Sequence, residues 1–334
     1  MLFSHSVIQL FVIRYMSMRF AFFGTPGLSV EILETLKQHG LVPSVIVTNP
    51  DRPQGRKMVL TPPPVKLWAV ANNIPFFQPE FSSDPDFLHK LKAKSYQLFV
   101  VVAYGSILPK ELLAIPEKGS LNIHYSLLPK YRGASPIESQ ILADDKETGV
   151  SILLLDEEMD HGPIVASQRL EFPISNFQFS NTETERELNW PPKASELRSA
   201  MNELAGEMLT EVMPKWVKGE MKAKPQDHSK ATYTKKFTKA DGEINLSNDL
   251  HHDEAERRSR AHKDFLKIQA FESSIGTYYY ADSMQTSRGQ MQNKKVRVKI
   301  VSTEFKNGAL TILRVIPEGK KEMDYTEFLR GTKP

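Results

Sequence analysis

The chain has 334 residues, a formal charge of +3 and a pI of about 8.8. That length suits two domains with ample core, but the charge is too mild to prove a nucleic-acid partner by itself. There is no cysteine, which excludes disulfides, thiolate catalysis and cysteine-ligated zinc.

Residues 1–17, MLFSHSVIQLFVIRYMS, precede the first expected strand. Their apolar run, Val7–Ile13, is far shorter than the ~18 residues of a membrane span. Neither a basic start nor a small-residue cleavage site marks a secretory signal. We read the segment as a non-structural extension, with translation starting at Met16 or Met18, and expect a cytoplasmic protein. The alternative is a mitochondrial presequence, hence the mitochondrial matrix, because the segment lacks acids; its one Arg is Arg14. No other stretch reads as transmembrane, so no membrane partner is expected.

MRFAFFG (18–24) is a buried-strand run closed by GTPG. The four-residue closure does not match G-x-G-x-x-G, so there is no dinucleotide fingerprint; it reads as a tight strand-to-helix turn. Leu28, Ile32, Leu33 and Leu36 recur at helical spacing up to Gly40, a suitable residue to follow a helix C-terminus. SVIVT (44–48) is the second strand, followed by a proline-rich stretch, 49–64, carrying Arg52, Arg56 and Lys57. A helix from Val65 leads to IPFF (74–77). After a further helix comes QLFVVVA (97–103), an uninterrupted apolar run of the kind a central parallel strand needs.

SLNIHY (120–125) is the next strand. Asn122 and His124 are two apart and therefore share a face. The chain then turns through SLLP and passes Lys130 and Arg132. A helix follows with Ser135 as N-cap, Pro136 at N1 and Glu138 three after the cap. Polar groups at a strand end before a helix N-terminus are where open α/β sheets place ligands. TGVSILLLD (148–156) and IVASQRLEF (164–172) complete the sheet, and alternating strands and helices indicate a doubly wound α/β domain.

A helix over 196–217 closes this domain. From Lys215 to Lys239 there are eight lysines against two acids, Glu220 and Asp227, which predicts a basic linker, flexible near Lys224-Pro225. Beyond it come a charged helix over 249–271 and three strand-like runs, IGTYYY, KKVRVKIVS and ALTILRVI. In the second run Val296, Val298 and Ile300 share one face, while Lys295, Arg297 and Lys299 share the other. A small β-barrel fits this pattern. His251-His252-Asp253-Glu254 could suggest a metal, but adjacent histidines diverge rather than converge on one ion. We read that run as solvated surface and expect no metal.

NIHYSLLPKYRGASPI (122–137) resembles the signature of the 10-formyltetrahydrofolate-dependent formyltransferases. PDRPQGRK (50–57) is similar to the matching segment of the members that act on methionyl-tRNA. The likeness runs from about Met18 to near the end. It implies a Rossmann-like formyltransferase domain with a mostly parallel sheet, followed by a small OB-like β-barrel domain. Our boundaries are 1–17 for the extension, 18–213 for the catalytic domain, 214–230 for the basic linker and 231–334 for the OB-like domain, expected to bind tRNA.

The resemblance further implies that 10-formyltetrahydrofolate is the formyl donor and the α-amine of initiator methionyl-tRNA the acceptor, in translation initiation. Such a transfer needs a neutral amine, a stabilised oxyanion and a proton path between two nitrogens. Asn122 supplies an N–H donor, and His124 can donate and carry protons near neutrality. Asp160, in MDHG, is the third candidate, a carboxylate that would orient the imidazole. The family's Asn-x-His plus a downstream Asp before a Gly gives the same trio. Asp156, Glu157 and Glu158 are rivals that spacing alone does not exclude; the M-D-x-G pattern favours Asp160. His161 reads as a bystander.

For the folate, the resemblance implies that Ser126, Leu127, Leu128 and Pro129 border the site, and that the loop of Tyr104, Ile107 and Leu108 lines the pterin pocket. Ile107, Leu108, Leu127 and Leu128 can serve as packing as well. Arg52, Arg56, Lys57 and Lys66 could clamp an acceptor stem by phosphate contacts, continued by the linker and the Lys295/Arg297/Lys299 face. Two features depart from the family pattern: Tyr125 stands where a glycine is common, and AFESSIGTYYY lacks the usual Pro/Trp-rich segment. A monomer is expected. The competing readings are a sugar-nucleotide amine N-formyltransferase, a formyltetrahydrofolate hydrolase and a non-catalytic tRNA-binding protein that kept the fold.

Overall fold

The computed structural model describes residues 18–55, 57–178, 185–244, 254–272, 274, 276–283 and 294–332. Residues 1–17, Arg56 and the run 251–253 therefore lie outside the described residues. These residues fall into two compact units: one of residues through 133, 147–170 and 199–233, the other of 134–146, 171–198 and 234 onward.

The first unit is built on β1 (Phe20–Gly24), α1 (Gly27–Gln38), β2 (Val45–Val47), β3 (Arg52–Gln54), β4 (Val59–Thr61), α2 (Pro64–Ala71), β5 (Phe76–Phe77), α3 (Pro85–Lys92), β6 (Leu98–Val102), α4 (Lys110–Leu113) and β7 (Ser120–His124). Next along the chain come β8 (Arg132–Gly133), β9 (Thr148–Leu154) and β10 (Ile164–Leu170) of the first unit, α5 (Pro136–Leu142) and the pair β11 (Ile174–Gln178) and β12 (Glu185–Leu188) of the second, and α6 (Ala194–Val217), whose residues from 199 on belong to the first.

The main sheet has seven strands in the order β10-β9-β7-β6-β1-β2-β5. β5, β2, β1, β6 and β7 run parallel; β9 is antiparallel to β7, and β10 to β9. Every residue of β1 and β6 is buried, as their continuous apolar runs require in a sheet covered on both faces. Phe23, Phe99 and Tyr104 pack with Val101, Leu112 and Leu91 in one core cluster. The chain steps outward from β1 through β2 to β5, then crosses back to lay β6 and β7 on the other side. Strand order thus reverses between β1 and β6, the crevice where such sheets bind ligands.

Local signals explain several element ends. Gly40, at φ 74, ends α1, and the Leu41 N–H returns to the Leu36 carbonyl at 2.8 Å, as a left-handed glycine after a helix allows. α3 starts behind Asp84, whose carboxylate accepts the Phe87 N–H at 3.0 Å. α5 starts at Pro136 as expected, but the capping box does not form. The Ser135 side chain makes no cap bond, and the Glu138 carboxylate instead accepts from Arg198 at 3.0 Å.

The stretch expected as a basic linker also takes a defined course. α6 continues to Val217, and Lys224 and Ile164 exchange backbone hydrogen bonds of 2.8 Å. Thr232 then accepts the Arg132 N–H at 2.8 Å through its carbonyl, and Tyr233 begins the short strand β13 (Tyr233–Thr234) paired with β8. Residues 224–233 form a strap across the first unit.

The second unit contains α7 (Glu254–Phe271), β14 (Thr277–Ser283), β15 (Lys294–Lys306), β16 (Ala309–Pro317), β17 (Met323–Asp324) and α8 (Tyr325–Thr332). Among the described residues β14–β17 form an antiparallel four-stranded sheet, β14-β15-β16-β17. This is the small antiparallel β-domain that the three C-terminal runs predict, without a further strand closing it into a barrel among those residues. Val298 and Ile300 are buried with Ile312, Val315 and Phe328, and Val296 packs against them. On the opposite face Lys295 and Lys299 are exposed, and the Arg297 guanidinium sits 4.1 Å from the Tyr278 ring centroid.

Candidate active site

The parallel strands β1, β2, β6 and β7 all point their C-terminal ends to one edge of the sheet, and the polar residues cluster there. β7 presents Asn122 and His124 on a common face. Asn122 is half-buried, and its amide has no side-chain hydrogen bond among the described residues. His124 is 5% exposed. Its Nε2 lies 2.8 Å from the Tyr131 carbonyl; a carbonyl only accepts, so Nε2 carries the hydrogen. Nδ1 faces Asp160 Oδ2 at 3.5 Å, longer than an ordinary hydrogen bond but well within ion-pair range.

Asp160 Oδ2 also accepts the Gly133 N–H at 2.7 Å, which links the carboxylate to the RGASP turn. The rival acids lie elsewhere. Asp156 accepts from the Glu158 N–H at 3.0 Å and lies 2.7 Å from His161 Nδ1. Glu157 pairs with Lys110 at 3.0 Å on the exposed surface. His161 stacks on His228, with ring centroids 4.1 Å apart, and does not join the trio.

Ser126 is fully buried. Its hydroxyl donates to the Lys130 carbonyl at 2.6 Å, closing the SLLP turn on itself. Ser151 Oγ donates to the Ser126 carbonyl at 2.8 Å and accepts the Leu128 N–H at 3.1 Å. Leu128 is buried, while Leu127 and Pro129 are half-buried. Ser151 thus sets the loop, yet no motif singles it out; only its register opposite His124 reveals the role.

At the crevice between β1 and β6, Tyr104 contributes its backbone rather than its ring. The ring packs edge-on against Phe23 at 5.5 Å, and burial pushes its phenol above the usual range. The Tyr104 carbonyl accepts from Thr25 Oγ1 and Asn49 Nδ2, both at 2.9 Å, and Ser106 Oγ donates to Asn49 Oδ1 at 3.1 Å. Ile107 is 86% exposed, whereas Leu108 packs on the core. Thr25, Asn49, Arg52, Gln54, Glu80 and Ser106 are among the residues around a cavity of about 250 Å³ at this edge.

The proline-rich stretch folds as the hairpin β3–β4, with Gly55 and Met58 in the left-handed region, φ 69 and 50. Arg52 pairs with Glu80 at 2.6 Å. Lys66 pairs with Asp51 at 2.7 Å, and Gln78 donates to the same carboxylate at 2.8 Å. Both cations therefore hold the root of the hairpin. Lys57 is exposed at its tip beside Met58, Val59 and Leu60, all more than half exposed. Among the described residues no group of three or more His, Cys, Asp and Glu could hold a metal ion, and no helix is long and apolar enough to cross a membrane.

This doubly wound sheet, with an amide, an imidazole and a carboxylate at its C-terminal edge, belongs to a formyltransferase: residues 18–187 match the family described as formyl transferase, and that match shows the class. The chain is 42% identical over 230 residues to the methionyl-tRNA formyltransferase of Chloroflexus aurantiacus, covering 69% of each chain. It is 37% identical over 322 residues to that of Herpetosiphon aurantiacus, covering 95% of this chain and 98% of the relative. The solved structure of methionyl-tRNA formyltransferase from Clostridium thermocellum shares the fold, with TM-score 0.51 and 15% identity over 92% of this chain and 99% of that one. The chain belongs to the methionyl-tRNA formyltransferase family.

Proposed function

We propose that this chain transfers a formyl group from 10-formyltetrahydrofolate to the α-amine of methionine on initiator tRNA. The observation that supports it most is the gathering of Asn122, His124 and Asp160 at one strand end in a chain of this family. We place this activity in the cytoplasm, where translation draws on charged initiator tRNA.

The neutral amine attacks the formyl carbon, an N–C bond forms, and the carbonyl oxygen becomes an oxyanion. Collapse breaks the bond from carbon to N10 of the folate, and a proton passes from the incoming to the leaving nitrogen. An aminoacyl amine titrates near about 7.7–8.0 by the α-amino reference, so an appreciable fraction is already neutral at pH 7. The demand is therefore for an oxyanion donor and a proton carrier more than for a strong base. The open Asn122 amide donates to the oxyanion, an interaction typically worth about 10²–10³ in rate. His124 exchanges its Tyr131 partner for the reacting group and relays the proton, while Asp160 fixes the ring from the Nδ1 side.

The folate lies between the Tyr104–Leu108 loop and the SLLP turn, whose backbone Ser151 and Thr25 hold in place. Arg56 and Lys57 contact phosphates of the acceptor stem, Lys57 from the hairpin tip; Arg52 and Lys66 set the hairpin's angle. We read the chain as acting as a monomer, without a metal. Transfer of labelled formyl to initiator methionyl-tRNA, with elongator methionyl-tRNA and a sugar-nucleotide amine as competing acceptors, tests the assignment. Turnover with the initiator that falls steeply with salt is expected; preference for the small amine would refute it.

A further inference from the structure

Gln226 stands in the strap, far in sequence from the trio, and is 6% exposed. Its amide is fully used. Oε1 accepts from Arg132 Nη2 at 2.7 Å and from Nε at 3.2 Å. Nε2 donates to the carbonyl of Asp160 at 2.9 Å and to that of Gly162 at 2.7 Å. One side chain therefore grips both the RGASP turn and the backbone on either side of His161.

That backbone needs holding. Asp160 has φ 50, in the left-handed region that a side-chain-bearing residue rarely adopts, Asp being among the more tolerant. This conformation carries the carboxylate to the Gly133 N–H and to the Nδ1 edge of His124. If the two carbonyls lose their donor, the loop keeps, among the described residues, only side-chain anchors, Asp160 to the Gly133 N–H and His161 to Asp156 and His228, and the peptide units on either side of His161 lose the bonds that set their rotation. Arg132, itself 2% exposed, is also met by His228 Nδ1 at 2.9 Å, so its guanidinium keeps a partner when Gln226 is lost.

We propose that Gln226 is a positioning residue for formyl transfer, holding residues 160–162 so that the Asp160 carboxylate faces His124. The inference rests on the reading of Asp160 as a member of the reacting trio. The two halves of the amide can be separated. Gln226→Glu keeps oxygens for the Arg132 guanidinium but replaces the donor toward the two carbonyls with a second acceptor. Gln226→Met, similar in length and uncharged, removes both halves.

The test uses the full chain, with kcat and both KM values measured for formyl transfer to charged initiator tRNA and folding followed by circular dichroism. Misplacing a reacting group by about 1 Å costs on the order of 10²-fold. Gln226→Glu and Gln226→Met should therefore lower kcat about 10- to 100-fold with both KM values little changed. Placed on Asp160→Asn, Gln226→Glu should lower kcat no further, because the carboxylate to be positioned is already gone. A folded Gln226→Glu variant with wild-type kcat, or a loss confined to KM, overturns the proposal while leaving the trio intact. Wild-type turnover by Asp160→Asn would instead remove the reading beneath it. If Gln226→Glu melts below the assay temperature, Gln226→Met decides by the same kcat criterion.

Discussion

Removing the Tyr125 hydroxyl separates a stabilising role from a catalytic one at the residue next to His124. One position on from His124, the pleat sends Tyr125 to the opposite side of the strand line. The ring is 9% exposed, and its hydroxyl donates to Asn202 Oδ1 at 2.7 Å. Asn202 in turn donates to the Leu28 carbonyl at 3.0 Å and the Glu31 carboxylate at 2.6 Å. Tyr125→Phe keeps the ring's packing but takes the donor from Asn202 Oδ1, on a residue only 2% exposed. Leaving such an acceptor unmet costs about 1–3 kcal/mol, and at roughly 2–4 °C per kcal/mol for a unit of this size the melting midpoint should fall by several degrees. Formyl transfer at 25 °C should keep its wild-type kcat. Tyr125→Gly, which restores the residue common in the family, should cost more, about 3–5 kcal/mol, because the ring's packing is lost as well. Thermal melts followed by circular dichroism, with formyl-transfer kinetics on the same samples, make the comparison. A Tyr125→Phe variant of unchanged stability whose kcat falls tenfold or more would refute the reasoning, since the hydroxyl would then act in the reaction.

Gly162→Ala should lower both stability and kcat, because a Cβ there would stand 1.9 Å from the Leu154 carbonyl oxygen and push away the loop that bears Asp160; overpacking of this kind costs about 1–3 kcal/mol. Melts and kinetics check it, and an unchanged kcat would mean that the loop's position does not matter. The Asp51 carboxyl is held below the usual carboxylate range by the Gln78 amide and Lys66. Its contribution to stability is therefore full above the unfolded carboxylate value of about 3.9 and is lost as pH falls through the lower folded value. Lys66→Met should thus be less stable than the native chain at pH 7 and converge with it in acid; a difference that persists unchanged at low pH would contradict this. Arg56→Glu should weaken use of tRNA and lower the salt slope by about 1 without altering folate affinity, and equal loss of both would indicate misfolding.

The parallel strands were readable because burial on both faces demands the unbroken apolar runs FAFFG and LFVVV. Asn122 and His124 were readable because the period of a strand alone places them together. The alternation of Val296, Val298 and Ile300 likewise gave the buried face of the second unit. What stayed hidden were contacts between residues far apart in the chain. Glu138 suits a capping box locally, yet Arg198 takes its carboxylate. Arg52 and Lys66 look like free cations until Glu80 and Asp51 appear beside them. A lysine-rich stretch reads as solvated linker because composition gives no hint that Gln226, within it, meets a buried arginine. The left-handed turn at Asp160 has no signature at all, because it is imposed by the bonds around it.

The central claim is that the imidazole of His124 and the carboxylate of Asp160 act as one unit, and a double-mutant cycle tests it most directly. His124→Ala, Asp160→Asn and the combined variant would be compared in single-turnover formyl transfer to charged initiator tRNA. Groups that work together are grossly non-additive, so the combined variant should be no slower than His124→Ala within about threefold. Rate losses that multiply, as for two independent sites, would contradict the account.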